Sequence, residues 1–315
     1  MDSVQSFFYD TCSNMSESTK RSYISAINSI CKYANIKPDP LAFGENHKAI
    51  LDTLGHFKPP TKRMYISAIL KFCSGRSSEA SMTAFKKEFD TLRKEISNAQ
   101  AKQIATDKFK VLQKEDFTWQ SVIDTRDALE EKYNTALHTV GILHPRDVLW
   151  CLQQYIVLCC YTMIEPRRST DFTEFVLHNP GEKDNYMVQK DGTFYFVFNS
   201  YKTAKMYGKQ EIAIPDKLAD LINQWSLICN SRYLLMKYRR NAPLDNVSLC
   251  HMLYDCFVGR KVSVNLLRHL YLAQYQEQDS KMMGIAERMG HSLKTQHLYI
   301  YQPAQDEEKV DNQVC

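Results

Sequence analysis

The chain has 315 residues, 44% hydrophobic and 24% charged, with a net charge of +4 at neutral pH. That size and balance suit two modest cores and exclude a long disordered region. Ten cysteines include no Cys-x-x-Cys pair, the first ten residues lack the basic start and apolar core of a secretory signal, and the longest apolar run, 155–164, is too short to span a bilayer.

The amino-terminal part is basic. Residues 1–114 contain 18 Lys or Arg against 11 Asp or Glu, a net of +7, whereas the remaining 201 residues have a net of −3. A positive surface of that kind neutralises phosphates, releases counterions and gives sequence-independent affinity for nucleic acid, although the same charge also suits a solvated helical surface. Within this part Thr19-Lys20-Arg21-Ser22-Tyr23-Ile24-Ser25-Ala26-Ile27 recurs as Thr61-Lys62-Arg63-Met64-Tyr65-Ile66-Ser67-Ala68-Ile69. In both copies the threonine suits an N-cap or first-turn position and the apolar residues recur at helical spacing. Each copy therefore predicts a helix whose first turn projects a lysine and an arginine, making Lys20, Arg21, Lys62 and Arg63 candidate DNA contacts. Two copies are too few for a solenoid. Pro38, Pro40, Gly44, Gly55, Pro59 and Pro60 mark turns between short helices, and Phe85, Phe89, Leu92 and Ile96 form the stripe of a further helix over 81–97. The pattern thins over 98–114, which predicts a linker that lets two halves close around a duplex.

From residue 115 onward the pattern mixes helices with a small sheet. Helices are predicted over 117–137 and 144–163, the second nearly all apolar and therefore central; Cys159-Cys160 lies in it, as expected of buried free thiols in a reducing compartment. Thr193-Phe194-Tyr195-Phe196-Val197-Phe198 reads as a strand that turns through 200–208 and returns along 210–214 before Pro215. Helices follow over 217–230, 246–258, 262–276 and 280–289. Trp119, Trp150 and Trp225 read as core residues. The expected fold class is mainly α with a small antiparallel β-sheet: a helical amino-terminal domain ahead of an α+β domain.

Five residue types then follow one another in the second half: Arg168 in Pro166-Arg167-Arg168-Ser169-Thr170-Asp171-Phe172, Lys202 in Tyr201-Lys202-Thr203-Ala204-Lys205, Arg268 in Leu266-Leu267-Arg268-His269, His291 in Met289-Gly290-His291-Ser292, and Tyr299. The set suits cleavage of a phosphodiester without a metal or other cofactor. Attack on the phosphate builds negative charge that fixed cations must balance, and a guanidinium is always charged and can hold two phosphate oxygens. A lysine among neighbouring cations can hand a proton to the departing 5′ oxygen. A tyrosine is a poor nucleophile at its free pKa of about 10 and needs a cationic pocket, which a histidine and two arginines supply. Arg268 lies inside an apolar helix, where a charge calls for an anionic partner, a carboxylate or the phosphate. His269, about 100° away on the same helix, reads as a packing or hydrogen-bonding residue, and His291 at a helix boundary as a hydrogen-bond donor in the transition state.

The segment with Met289-Gly290-His291-Ser292, Thr295 and Tyr299 resembles the Leu-Gly-His-Ser…Thr…Tyr signature of the tyrosine recombinase (phage integrase) family. Asn265-Leu266-Leu267-Arg268-His269 is similar to that family's His-x-Leu-Arg-His box, Arg168-Ser169-Thr170-Asp171-Phe172 to its Arg-x-Ser-Glu-Leu box, and Lys202 to its β-hairpin lysine. Three positions depart from the pattern. Asn265 stands where the family usually has histidine or lysine, and it can bond a phosphate oxygen but carries no proton. Of the adjacent Arg167 and Arg168, the second is chosen because Asp171 then falls three residues on. Tyr301 competes with Tyr299, which lies four residues after Thr295. The resemblance implies a helical core-binding domain over 1–97, a linker over 98–114, an α+β catalytic domain over 115–303 and a tail over 304–315. It implies a soluble intracellular integrase acting on double-stranded DNA through a covalent 3′-phosphotyrosyl intermediate, assembling as a tetramer on DNA, away from membranes, in a viral or mobile-element branch. Alternatives are a type IB topoisomerase-like nicking-closing enzyme and a DNA-binding protein that no longer cuts.

Overall fold

A computed structural model describes residues 3–101, 107–138, 145–229, 231–237, 242–275 and 279–290. The chain divides into two compact units, one reaching residue 102 and the other starting at 103.

The first unit is all helical: α1 (Ser3–Thr11), α2 (Glu17–Ala34), α3 (Pro40–Glu45), α4 (His47–Thr53), a 3-10 turn at Leu54–His56, α5 (Pro59–Cys73) and α6 (Glu79–Ala101). The echoed segments open α2 and α5. Ser16 caps α2 by accepting from the Thr19 amide, and Pro59 with Pro60 fill the first positions of α5, where a missing N–H costs nothing. Thr19 and Thr61 thus sit at equivalent third positions. α2 ends at Asn35 in the left-handed conformation, φ 50°, its N–H returning to the Cys31 carbonyl. The core gathers Phe8, Ile27, Phe43, Ile50, Ile69, Phe72 and Phe85, with Phe7 and Phe43 edge-on to Phe72.

Much of the segment expected as a linker is helical: α6 runs on to Ala101 and α7 occupies Asp107–Lys114. The physical reason lies in its composition, since Ala, Gln and Lys are strong helix formers even where no apolar stripe marks them.

In the second unit α8 (Trp119–His138) and α9 (Pro145–Thr162) pack together, and every residue from 151 to 161 is buried. The central helix anticipated from its apolar run is α9. The order continues with α10 (Ser169–Thr173), β1 (Phe175–Val176), β2 (Asn185–Lys190), β3 (Thr193–Phe198), α11 (Ala204–Tyr207), β4 (Gln210–Ala213), α12 (Asp216–Cys229), α13 (Asn246–Cys256), α14 (Val264–Ala273) and α15 (Asp279–Arg288). The strands form one sheet in the order β1-β2-β3-β4. β2, β3 and β4 pair antiparallel, but β1 pairs β2 in parallel, so the sheet is mixed rather than purely antiparallel. β2 and β3 meet at Asp191-Gly192, both with positive φ (49° and 81°), which matches the right-handed twist of a tight hairpin.

The protein is mainly helical with this small sheet, and the sheet joins the helices through aromatic rings. Phe172 of α10 lies 5.4 to 6.4 Å from Tyr161 of α9, Phe175 of β1 and Phe196 and Phe198 of β3. Trp119 and Trp225 are buried and Trp150 half-buried. Among the described residues no disulfide forms, no group of side chains could hold a metal ion, and no helix is long and apolar enough to cross a membrane. Phe172→Ala should cost about 3 to 5 kcal/mol in urea unfolding at unchanged m value; a loss under about 1 kcal/mol would show that the ring cluster does not hold α10 to the sheet.

Candidate functional site

The end of α15 and the two residues after it gather three arginines of the second unit. A helix ends with carbonyls that have no partner within the helix and with a partial negative charge. Here four consecutive carbonyls are taken by side chains from elsewhere. Gln210 Nε2 of β4 donates to Glu287 O at 2.8 Å, Arg167 Nη1 to Arg288 O at 2.7 Å, and Arg268 Nη2 of α14 to Met289 O at a long 3.5 Å. Gly290 O accepts from both Arg168 Nη1 at 2.9 Å and Thr203 Oγ1 at 2.6 Å. Gly290 has φ 68°, and a Cβ there would lie 3.3 Å from Arg167 Nη2 and 3.4 Å from the Tyr201 ring. Only glycine combines that left-handed conformation with so close an approach.

The adjacent arginines have different surroundings. Arg167 is wholly buried: its Nε bonds Asp171 Oδ2 at 2.9 Å, its Nη1 also donates to Gln210 Oε1 at 2.8 Å, and its guanidinium lies over the Phe198 ring at 3.9 Å. Burial lowers its pKa from the ordinary arginine value, with Asp171 opposing the shift. Burial likewise raises the Asp171 carboxyl, while Arg167, Arg168 and Arg268 pull it back down. The 2.9 Å contact between two wholly buried side chains marks a charged pair. Arg168 is half-buried, with extended backbone, at the N-cap of α10. The carboxylate three residues after Arg168 pairs with Arg167, which the extended backbone at Arg168 places ahead of α10.

Arg268 is wholly buried in α14, beneath Met289. Asn265, one turn earlier, is exposed, and His269 is half-buried with its ring 6.1 Å from Phe109. Lys202 is exposed on the turn between β3 and α11. That turn is tied more firmly than a free hairpin loop: Tyr201 Oη donates to Gly208 O at 2.7 Å, Thr203 holds Gly290 O, and the buried Asn185 side chain bonds the backbone at Asn199 and Ser200. Arg168, Arg268 and the Lys202 turn thus converge on the two residues that precede His291. His291, Tyr299 and Tyr301 lie outside the described residues.

In the first unit the echoed cations divide. Lys20 is 6% exposed, 3.2 Å from Glu17 and 5.1 Å from the Tyr9 ring centre, and Lys62 pairs with Glu88 at 2.6 Å. Arg21 is exposed and Arg63 half-buried. Both lysines are paired with glutamates, and of the four cations Arg21 is the exposed one.

Sequence reasoning gave no role to Gln210 or Asn185. Their signal is weak, because a polar residue in a short strand earns its role from partners remote in sequence.

No protein-family model and no curated protein matches the chain. Among solved structures 18 chains match. One is the crystal structure of XerA recombinase, 15% identical over 95% of this chain and 93% of that chain, with a TM-score of 0.39. At that TM-score the likeness carries no part of the functional argument.

Removing either member of the buried pair strands a charge. Arg167→Ala and Asp171→Asn should each cost about 3 to 5 kcal/mol, read by urea unfolding. Arg168→Ala, at a half-buried position, should cost less than about 1.5 kcal/mol. Equal losses at 167 and 168 would refute the division of roles.

Proposed function

We propose that the chain is a DNA strand transferase of the tyrosine recombinase type, which breaks and rejoins DNA without metal or ATP. The observation that supports this reading is the convergence of Arg168, Arg268 and the Lys202 turn on the residues just before His291. Arg168 is the first phosphate clamp, and Arg167 is its structural neighbour. Arg268 is the second clamp, and its bond to Met289 O gives way to the phosphate. Tyr299 Oη attacks phosphorus and gives its proton to solvent water as the O–P bond forms. The P–O5′ bond breaks, the 5′ oxygen takes a proton from Lys202, and His291 donates a hydrogen bond to the charged phosphate. One phosphodiester replaces another, so resealing needs no ATP. The first unit supplies DNA affinity through its basic surface, with Arg21 and Arg63 at the front, and the active form is a tetramer on DNA. A mobile-element or viral role fits this chemistry.

A second reading is a DNA-binding protein that no longer cuts. The full burial of Arg268 and the asparagine at 265 favour it.

Full-length protein mixed with a pool of short nicked duplexes carrying randomised flanks should form a covalent adduct that survives detergent. Tyr299→Phe removes one hydroxyl and should abolish the adduct while DNA affinity is kept, and Tyr301→Phe should still form it. Two residues apart on a helix point about 200° apart, so both tyrosines cannot serve one phosphate. Adduct in the Tyr299 variant mapped to Tyr301 would move the nucleophile by two residues. Absence of adduct in the parent protein under these trapping conditions would leave the binding-only reading.

A further inference from the structure

Asn185 opens β2 and is 1% exposed. Its amide is fully used: Nδ2 donates to Asp171 O at 3.0 Å and Ser200 O at 2.8 Å, and Oδ1 accepts from Asn199 N at 3.0 Å and Ser200 N at 2.8 Å. A primary amide has two donor hydrogens and an oxygen with two lone pairs, so nothing is left over. The two places it joins are those that carry the proposed chemistry. Asp171 lies in α10, three residues after Arg168, and Ser200 lies two residues before Lys202.

The strand ladder does not reach this place. β2 and β3 pair from Lys190↔Thr193 to Tyr186↔Val197, and beyond Val197 the amides of residues 199 and 200 meet the Asn185 side chain instead of a strand. On its other side Asn185 stands opposite Phe175 of β1. The Asn185 amide therefore replaces a missing pair of backbone rungs and fixes the departure of the Lys202 turn from the sheet.

We infer that Asn185 is a positioning residue for Lys202, which sets the spacing between the proposed general acid and the Arg168 clamp. This rests on the reading of Lys202 given above. The side chain is buried and does not touch DNA; it acts through the turn. Aspartate is nearly isosteric but has no N–H to give and would set a carboxylate against two carbonyl oxygens. Serine keeps a single hydroxyl too short to reach all four partners.

The test compares full-length protein and its Asn185→Asp, Asn185→Ser and Lys202→Ala variants on the randomised nicked duplexes, with either the ordinary 5′ oxygen or a bridging 5′ sulfur at the cleaved position. A thiolate leaves without protonation, so sulfur removes the need for a general acid. On the oxygen substrate both Asn185 variants should form adduct about 10- to 100-fold more slowly, the cost of a misplaced catalytic group. On the sulfur substrate they should return to the parent rate, as Lys202→Ala should. Restoration by sulfur is what a merely weakened fold would not show. An unchanged rate on oxygen, or slowness on sulfur while Lys202→Ala is restored, overturns the Asn185 role and leaves the general acid standing. Parent-like cleavage of the oxygen substrate by Lys202→Ala, or no adduct from the parent, overturns the underlying reading and this inference with it. If neither Asn185 variant folds, amide exchange on the parent protein decides: the Asn199 and Ser200 amides should be protected, and open-loop exchange rates there would refute the joint.

Discussion

Everything near the site depends on one electrostatic arrangement, a helix end whose carbonyls are held by guanidinium groups around a single buried carboxylate. Arg167 and Asp171 are both wholly buried, and removing two charges from water costs several kcal/mol per ion unless the pair is well bonded. Arg167 meets that cost with Asp171, Gln210 and the Arg288 carbonyl, and with the faces of Phe198 and Tyr201. Asp171 in turn is the anion common to Arg167, Arg168 and Arg268. The negative end of α15 supplies the remaining partial charge. Five segments remote in sequence meet there, and the buried arginines of two of them are bonded by the others.

This arrangement divides labour between adjacent residues. Arg167 is committed to the fold, whereas Arg168 is half-buried at the cap position and bonds Gly290 O. The aromatic cluster around Phe172 gives the pair its rigid footing, since α10 is only five residues long and is held by packing rather than by its own hydrogen bonds. Asn185 then connects that footing to the next strand turn. Carboxylate, rings and amide form a continuous support from Arg168 to the backbone beside Lys202.

Strongly patterned elements were legible in the sequence, and β1 and β2 were not. The apolar run of α9, the stripe of α6 and the hairpin of β3 with β4 follow from spacing alone. β2 was not foreseen, although Asp191-Gly192 between two β-branched and aromatic runs is a strong hairpin signal. Its start at Asn185 follows Gly181-Glu182-Lys183-Asp184 and reads as loop. The mixed sheet was hidden for a related reason, because β1 has two residues and its parallel pairing is set by tertiary contacts. At the site the order of charged residues was visible, but not which arginine is buried. That depends on Asp171 in α10 facing Arg167 ahead of the helix, and on β4 bringing Gln210 alongside.

The same accounting bears on how such a site would take up DNA. In the chain by itself Arg168 and Arg268 rest on peptide carbonyls, each a dipole with a fraction of a unit charge. A phosphate offers the same arginines a full charge and a second oxygen, so charge-assisted bonds to it are roughly twice as strong as neutral ones. On the proposed reading the carbonyls would be weak placeholders for a phosphate. Exchange of partner at Arg168 leaves Arg167, Asp171 and Gln210 in place, and the turn held by Asn185 does not have to move. A phosphate at Arg268 would displace its bond to Met289 O, two residues before His291.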